Sequence, residues 1–138
     1  MNVEAARREV LEVHQLLEDW FNGAVASGEA ALARFTSVLT PEFEVVMPSG
    51  RVVARAVLVA RLHELGGQWR DASPAGRIRI ERFRARRLSE GLALAMYEEW
   101  QDYGLSSRGR QASVVFAAGE PTPNGLRWLH LHETWITS

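Results

Sequence analysis

RIRIERFRARRLSEGLALAMYEEWQDY, residues 77–103, decides the fold. Its two halves read as strands, and side chains along a strand turn to opposite faces with a period of two. Ser89-Glu90-Gly91 between them is a hairpin turn. Downstream, GRQASVVFAA follows the segment from Gly104 to Arg108, and LRWLHLHETWI closes the chain after PTPNG, whose Asn-Gly is a strong turn signal. From Gly76 onward the chain therefore reads as a meander of four long strands.

Upstream the period changes. Val3, Ala6, Val10, Val13, Leu17, Trp20 or Phe21, and Ala24 recur at helical spacing, with Glu4, Arg7, Arg8, Glu12 and Glu18 on the other side. Asn2 caps this helix, and it should stop near Ser27-Gly28. A second helix is expected from about Glu29 to Val38, with Ser27 near its start, Leu32 and Phe35 facing inward, and Thr40-Pro41 ending it. Phe43, Val45 and Met47 then alternate with Glu42, Glu44 and Val46 as a half-buried strand, followed by a turn at Pro48-Ser49-Gly50. A third helix is expected from Ala54 to Leu65, with Val57, Leu58, Leu62 and Leu65 as its buried stripe and Gly66-Gly67 closing it. The order implies an α+β domain, its helices gathered on one face of a curved antiparallel sheet.

The 138 residues suit one domain, 1–138. With 46% hydrophobic and 24% charged residues, the composition is that of an ordinary globular protein. A formal net charge of −1 gives no bulk attraction to nucleic acid or to an anionic membrane. Cysteine is absent, which excludes disulfides, thiolate metal sites and cysteine nucleophiles. The acidic, amphipathic start MNVEAARREVLEV is no signal peptide, and no apolar run approaches the roughly 20 residues of a membrane span. A soluble, cytoplasmic protein is expected. No Gly-rich phosphate loop, nucleophile elbow or zinc-protease helix occurs, so no cofactor is expected.

Several strings in this order resemble the NTF2-like superfamily, the cone-shaped α+β fold of ketosteroid isomerases, SnoaL-type polyketide cyclases and DUF4440-type proteins. They are AVASGEAALARF before the first strand, LTPEFEVVMPSGRVV around it, and SVVF followed by NGLRWLHLHETW at the end. The resemblance implies three helices packed on a strongly curved sheet, a pocket open at one end of the cone, and a homodimer through the convex sheet face. It also tests one chemistry. Where ketosteroid isomerases carry a general-base aspartate, this chain has Met47, and where they carry an oxyanion-binding tyrosine, it has Phe21. Neither can do that work, which argues against isomerase chemistry of that type.

The remaining polar groups offer candidates. His130 and His132 share one face of the last strand, and Glu133 points to the other. A metal site there would need a third ligand, from His14, His63 or Glu99. The expected use is as a polar wall of the pocket, the bland one a solvated or interfacial face. On the third strand Tyr97, Glu99, Gln101 and Tyr103 share a face, while Met96, Glu98, Trp100 and Asp102 share the other. Glu99 is the preferred inward carboxylate, suited to a raised pKa and proton transfer; the alternative is a rim position paired with an arginine. The basic strand with Arg77, Arg79, Arg82, Arg84, Arg86 and Arg87 reads as a solvated edge. Trp20 reads as core, and Trp69 as a lid over the pocket if it is functional at all.

The expectation is a cone binding a small apolar or mixed-polarity molecule, as a binding protein or a cofactor-independent lyase or isomerase. Glu99, His130 and His132 are the candidate catalytic groups. Phe21, Met47, Leu62, Tyr97, Gln101 and Trp128 are the candidate ligand-binding groups. No metal, nucleic acid or membrane partner is expected. The alternative is a non-catalytic dimerisation or assembly module with a vestigial pocket, as in the hub domains of kinases.

Overall fold

The computed structural model describes residues 2–25 and 28–137. Its elements are α1 (Val3–Phe21), α2 (Gly28–Thr36), β1 (Leu39–Val46), β2 (Val52–Ala54), α3 (Arg55–Glu64), β3 (Arg77–Ser89), β4 (Leu92–Tyr103), β5 (Ser106–Ala118) and β6 (Leu126–Trp135). One curved sheet runs β2-β1-β6-β5-β4-β3, with the helices packed on it. The α+β, NTF2-like expectation is met, and β3 to β6 form the anticipated antiparallel meander. One pairing departs from it: β1 lies parallel to β6. Among the described residues, no helix is long and apolar enough to cross a membrane.

α1 starts where its cap dictates, the Asn2 side chain accepting from the Glu4 amide at 2.8 Å. It stops earlier than the apolar spacing suggests, at Phe21 and not near Ser27-Gly28. Asn22 caps it, and Gly23 takes the left-handed turn at φ 71° that ends so many helices. The expected place of Ser27 at the start of α2 lies outside the described residues. α2 ends at Thr36, short of Val38, and Thr40-Pro41 fall inside β1. Pro41 has no amide to give the ladder, and there the register against β6 jumps, from Leu39 opposite Trp128 to Glu44 opposite His130. In α3 the stripe is narrower than expected. Leu62 is buried, but Val57 is 51% exposed, because it faces a groove outside the core.

The core lies between α1, α2 and the inner sheet face, where Val10, Val13, Leu32, Phe43, Val114, Phe116 and Trp128 are fully buried. Each such side chain contributes about 1.5–3 kcal/mol from burial. Trp20 is core as expected, its indole N–H donating to the Leu62 carbonyl at 2.7 Å. Trp69 is not a lid. It is 7% exposed, edge-on to Phe21 at 5.1 Å and stacked on Tyr103 at 5.8 Å, and it does not line the cavity.

Two interruptions aim the sheet's side chains. In β3 the register slips between Glu81 and Arg84, and Arg82 takes φ 54°, so Phe83 turns inward to stack on Tyr97. In β6 Leu129 has no partner: Phe116 faces Trp128 and the adjacent Val115 faces His130. Trp128 therefore points inward, and beyond the bulge the inward set becomes Leu131 and Glu133.

A buried carboxylate ties these parts together. Glu9 on α1 is fully buried and accepts from Arg34 at 2.6 and 3.1 Å, Asn124 at 2.9 Å and the Trp128 indole at 2.8 Å. Four donors from α2, the β5–β6 turn and β6 offset the desolvation of one charge.

Candidate functional site

A cavity of about 330 Å³ opens between α1, α3 and the inner sheet face. Its walls are apolar, with Val13, Leu17 and Phe21 from α1, Leu58 and Leu62 from α3, and Val45, Met47 and Leu131 from the sheet. Five polar side chains converge on it: His14 from α1, Glu99 and Gln101 from β4, Arg110 from β5 and Glu133 from β6. Arg61 and Gln68, both exposed, stand at its rim.

His14 sits on the apolar stripe of α1, one turn beyond Val10, so the helix drives it into the cone. Its Nδ1 lies 2.7 Å from the Val10 carbonyl and its Nε2 lies 3.1 Å from Glu99 Oε1. Both neighbours accept hydrogen bonds, so both ring nitrogens must carry protons while Glu99 is ionised. Geometry thus makes the pair an imidazolium and a carboxylate. Burial works against the charge on His14, but Glu99 beside it, with the Val10 carbonyl, raises the imidazole above its ordinary value. Burial likewise acts to raise Glu99; the charge and hydrogen bond of His14, together with Arg110 and the 2.8 Å bond from Gln101, overcome it and pull the carboxyl down to about 2.

Glu133 behaves oppositely. Arg110 donates to its Oε1 at 3.0 Å, which taken alone would hold the carboxylate ionised. Burial and the negative charge of Glu99 outweigh that contact and push Glu133 up to about 7. The arginine also serves Glu99, so its charge is shared between two carboxylates. Behind this cluster Tyr97 is 1% exposed, its ring 5.5 Å from that of His14. Its hydroxyl is buried with no hydrogen-bond partner among the described residues. Burial first, and then Glu99 and Glu133, hold that hydroxyl well above its usual range.

Of the residues singled out in the sequence, Phe21, Met47, Leu62, Glu99, Gln101 and Trp128 line the cavity. Tyr97 shares their face but is packed into the core behind Glu99 and does not line it. His130 and His132 face the other way, half-buried and exposed respectively, because the bulge at Leu129 breaks the alternation that would have aligned them with Trp128. Glu133 takes the inward position instead. Among the described residues, no three His, Asp or Glu side chains come together as a metal site would need. Sequence reasoning missed Glu133 and Arg110, and reached His14 only as a spare metal ligand. For His14 the signal was present, three residues before Leu17 and four after Val10 on the buried stripe. For Glu133 there was none, since the bulge has no signature in LRWLHLHETW.

A family model described as sucrose-6-phosphate phosphohydrolase C-terminal matches residues 6–137. The chain belongs to that family. Solved structures place this phosphohydrolase C-terminal family member among NTF2-like proteins with a cystatin-like fold. An NTF2-like protein of unknown function from Pseudomonas aeruginosa is 26% identical, with a TM-score of 0.83 over 96% of this chain and 99% of that one. An uncharacterised cystatin-like protein from Caulobacter vibrioides is 17% identical, with a TM-score of 0.68 over 98% of this chain and 89% of that one. The CaMKII hub of S. rosetta shares the fold at 13% identity, with a TM-score of 0.67 over 94% of this chain and 95% of that one. The comparison with curated proteins found no match.

Proposed function

We propose that the chain binds a small, largely apolar molecule with one or two polar groups inside the cone, and that Glu133 exchanges a proton with it. One observation carries this reading: Glu99, His14, Arg110 and Glu133 converge, with Gln101, on a cavity whose inner walls are otherwise apolar. Charges withdrawn from water in this way are costly, and such clusters concentrate at functional sites. Glu133, poised at about 7, passes between acid and base near neutrality, as a general acid–base group must. Glu99 is locked as an anion by His14 and keeps the proton on Glu133 by repulsion. Arg110, 3.0 Å from Glu133, can hold an oxygen on which negative charge develops. The reaction class is a cofactor-independent isomerisation or elimination, with Glu133 in the role that spacing had given to His130 and His132.

The test is a thermal-shift screen of the wild type against Leu131→Trp, which fills the cavity. The panel holds cyclic ketones, aromatic polyketide-like phenols and, following the family's description, sucrose and hexose phosphates. A ligand of the cone raises Tm in the wild type and not in the filled variant. Compounds that stabilise both proteins equally, or none at all, would sink the reading.

An assembly role is the second reading. Leu94, Met96 and Val115 point outward from the sheet and are only half-buried, an apolar patch on the convex face. The hub of S. rosetta CaMKII has the same fold. A homodimer through this face is compatible with either reading. Sedimentation of the wild type against Met96→Arg tests it: the wild type sediments as a dimer and the variant as a monomer.

A further inference from the structure

The cone opens beside a second hollow of about 510 Å³, between the β1–β2 turn and α3. Met47, Leu58 and Arg61 line both spaces, so the two are continuous at the rim. The outer one adds Ser49, Arg51, Val53 and Val57. Its floor is apolar and its polar groups are two arginines and a hydroxyl.

The charge around it is lopsided. From Met47 to His63 the chain carries Arg51, Arg55 and Arg61 and not one acidic residue, although the whole chain is at −1. Arg55 is engaged with the Thr36 carbonyl at 3.0 Å. Arg61 has only a loose 3.6 Å pair with Glu64, both side chains about two-thirds exposed, and such a pair contributes little. Among the described residues, the groove itself holds two guanidiniums and no carboxylate. A cleft lined by one sign of charge on apolar walls concentrates counter-ions.

We infer that this groove is a second subsite, holding the anionic end of an elongated ligand whose apolar body occupies the cone. The inference rests on the reading of the cone as a ligand pocket. The recognising chemistry is a carboxylate, sulfonate or phosphate met by Arg51 and Arg61, with Ser49 as a further donor; guanidinium forks suit such planar or tetrahedral oxyanions. The exposed Val57, otherwise an apolar side chain in water, then packs against the ligand as it leaves the cone.

The experiment uses two fluorescent probes with the same aromatic body, 1-anilinonaphthalene-8-sulfonate and its uncharged analogue N-phenyl-1-naphthylamine. Each is titrated into the wild type, Arg51→Glu and Arg86→Glu. Arg86 is exposed on β3, the opposite edge strand, and controls for net charge. The expected result is that Arg51→Glu weakens the sulfonate about tenfold or more, with the uncharged probe within about twofold and Arg86→Glu close to wild type on both. Raising the ionic strength also weakens the sulfonate selectively. If both probes bind but Arg51→Glu affects the sulfonate no more than Arg86→Glu does, the subsite is overturned and the cone reading stands. If neither probe binds, both readings fall.

Discussion

His14 Nε2 lies 3.1 Å from Glu99 Oε1, and this contact ties the first helix to the centre of the sheet. Both partners are buried, so each is tolerable only in the presence of the other. His14→Ala should therefore destabilise by about 3–5 kcal/mol, the usual cost of stranding one member of a buried pair. Urea unfolding checks it. Nitrogen chemical shifts of His14 at pH 7 should also show both ring nitrogens protonated, and a neutral tautomer there would contradict the ion pair.

Stability should decline from mildly acidic to alkaline pH. Glu133 keeps its proton in the folded chain up to about 7, whereas the unfolded chain releases it near 4.5. Between these values the folded state binds more protons, so raising the pH destabilises it. His14 acts in the same direction: its contribution is complete below 6.5 and is lost as the pH rises through its higher folded value. Glu99 opposes them only in acid, its contribution being present above 4.5 and lost as the pH falls toward 2. The urea midpoint should thus be highest near pH 4.5 and fall above it. Glu133→Gln should flatten the part of the decline between 4.5 and 7 and keep the part above it. A wild-type midpoint that climbs steadily from pH 5 to pH 8 would refute this assignment.

Glu9→Ala leaves the Trp128 indole without its acceptor, and leaves Arg34 and Asn124 with only Glu12 to receive their bonds. A loss of about 3 kcal/mol or more is expected. Trp128 also lines the cavity, so the same variant should shift the intrinsic fluorescence and weaken any cone ligand. Equal stability of Glu9→Ala and wild type in chemical denaturation would show that this buried carboxylate does not hold the parts together.

Gly66 marks a close approach. A methyl group there would lie 2.6 Å from the Trp20 ring, which is pinned by its bond to Leu62 and cannot retreat. Gly66→Ala should cost about 1–3 kcal/mol, as overpacking does. Differential scanning calorimetry measures it as a lowered Tm, and an unchanged Tm would show that the ring has room to move.

Elements governed by local chemistry were legible in the sequence. The cap at Asn2, the turn at Gly91 and the alternation of Tyr97, Glu99 and Gln101 all follow from short-range rules, and Glu99 lines the cavity as that alternation required. Features set by distant pairing were not. The parallel union of β1 with β6 joins residues about ninety positions apart, and Pro41 reads locally as a helix stop when it is an irregularity in a strand. The site followed the same division. His14 belongs to a helical stripe and was in view, whereas Arg110 and Glu133 became neighbours only through the β5–β6 register, which the bulge at Leu129 sets.

That bulge has a consequence for how such a pocket can change. Were Leu129 paired in the ladder instead of bulged, strand parity would carry His130 and His132 inward behind Trp128 and turn Glu133 out. A change on a neighbouring strand that relaxed the bulge would therefore exchange an acidic wall for an imidazole one with every side chain of β6 kept. In a cone of this kind a new chemistry can arise by a frame shift of the pleat, a step that residue-by-residue comparison of inner walls would score as no substitution at all.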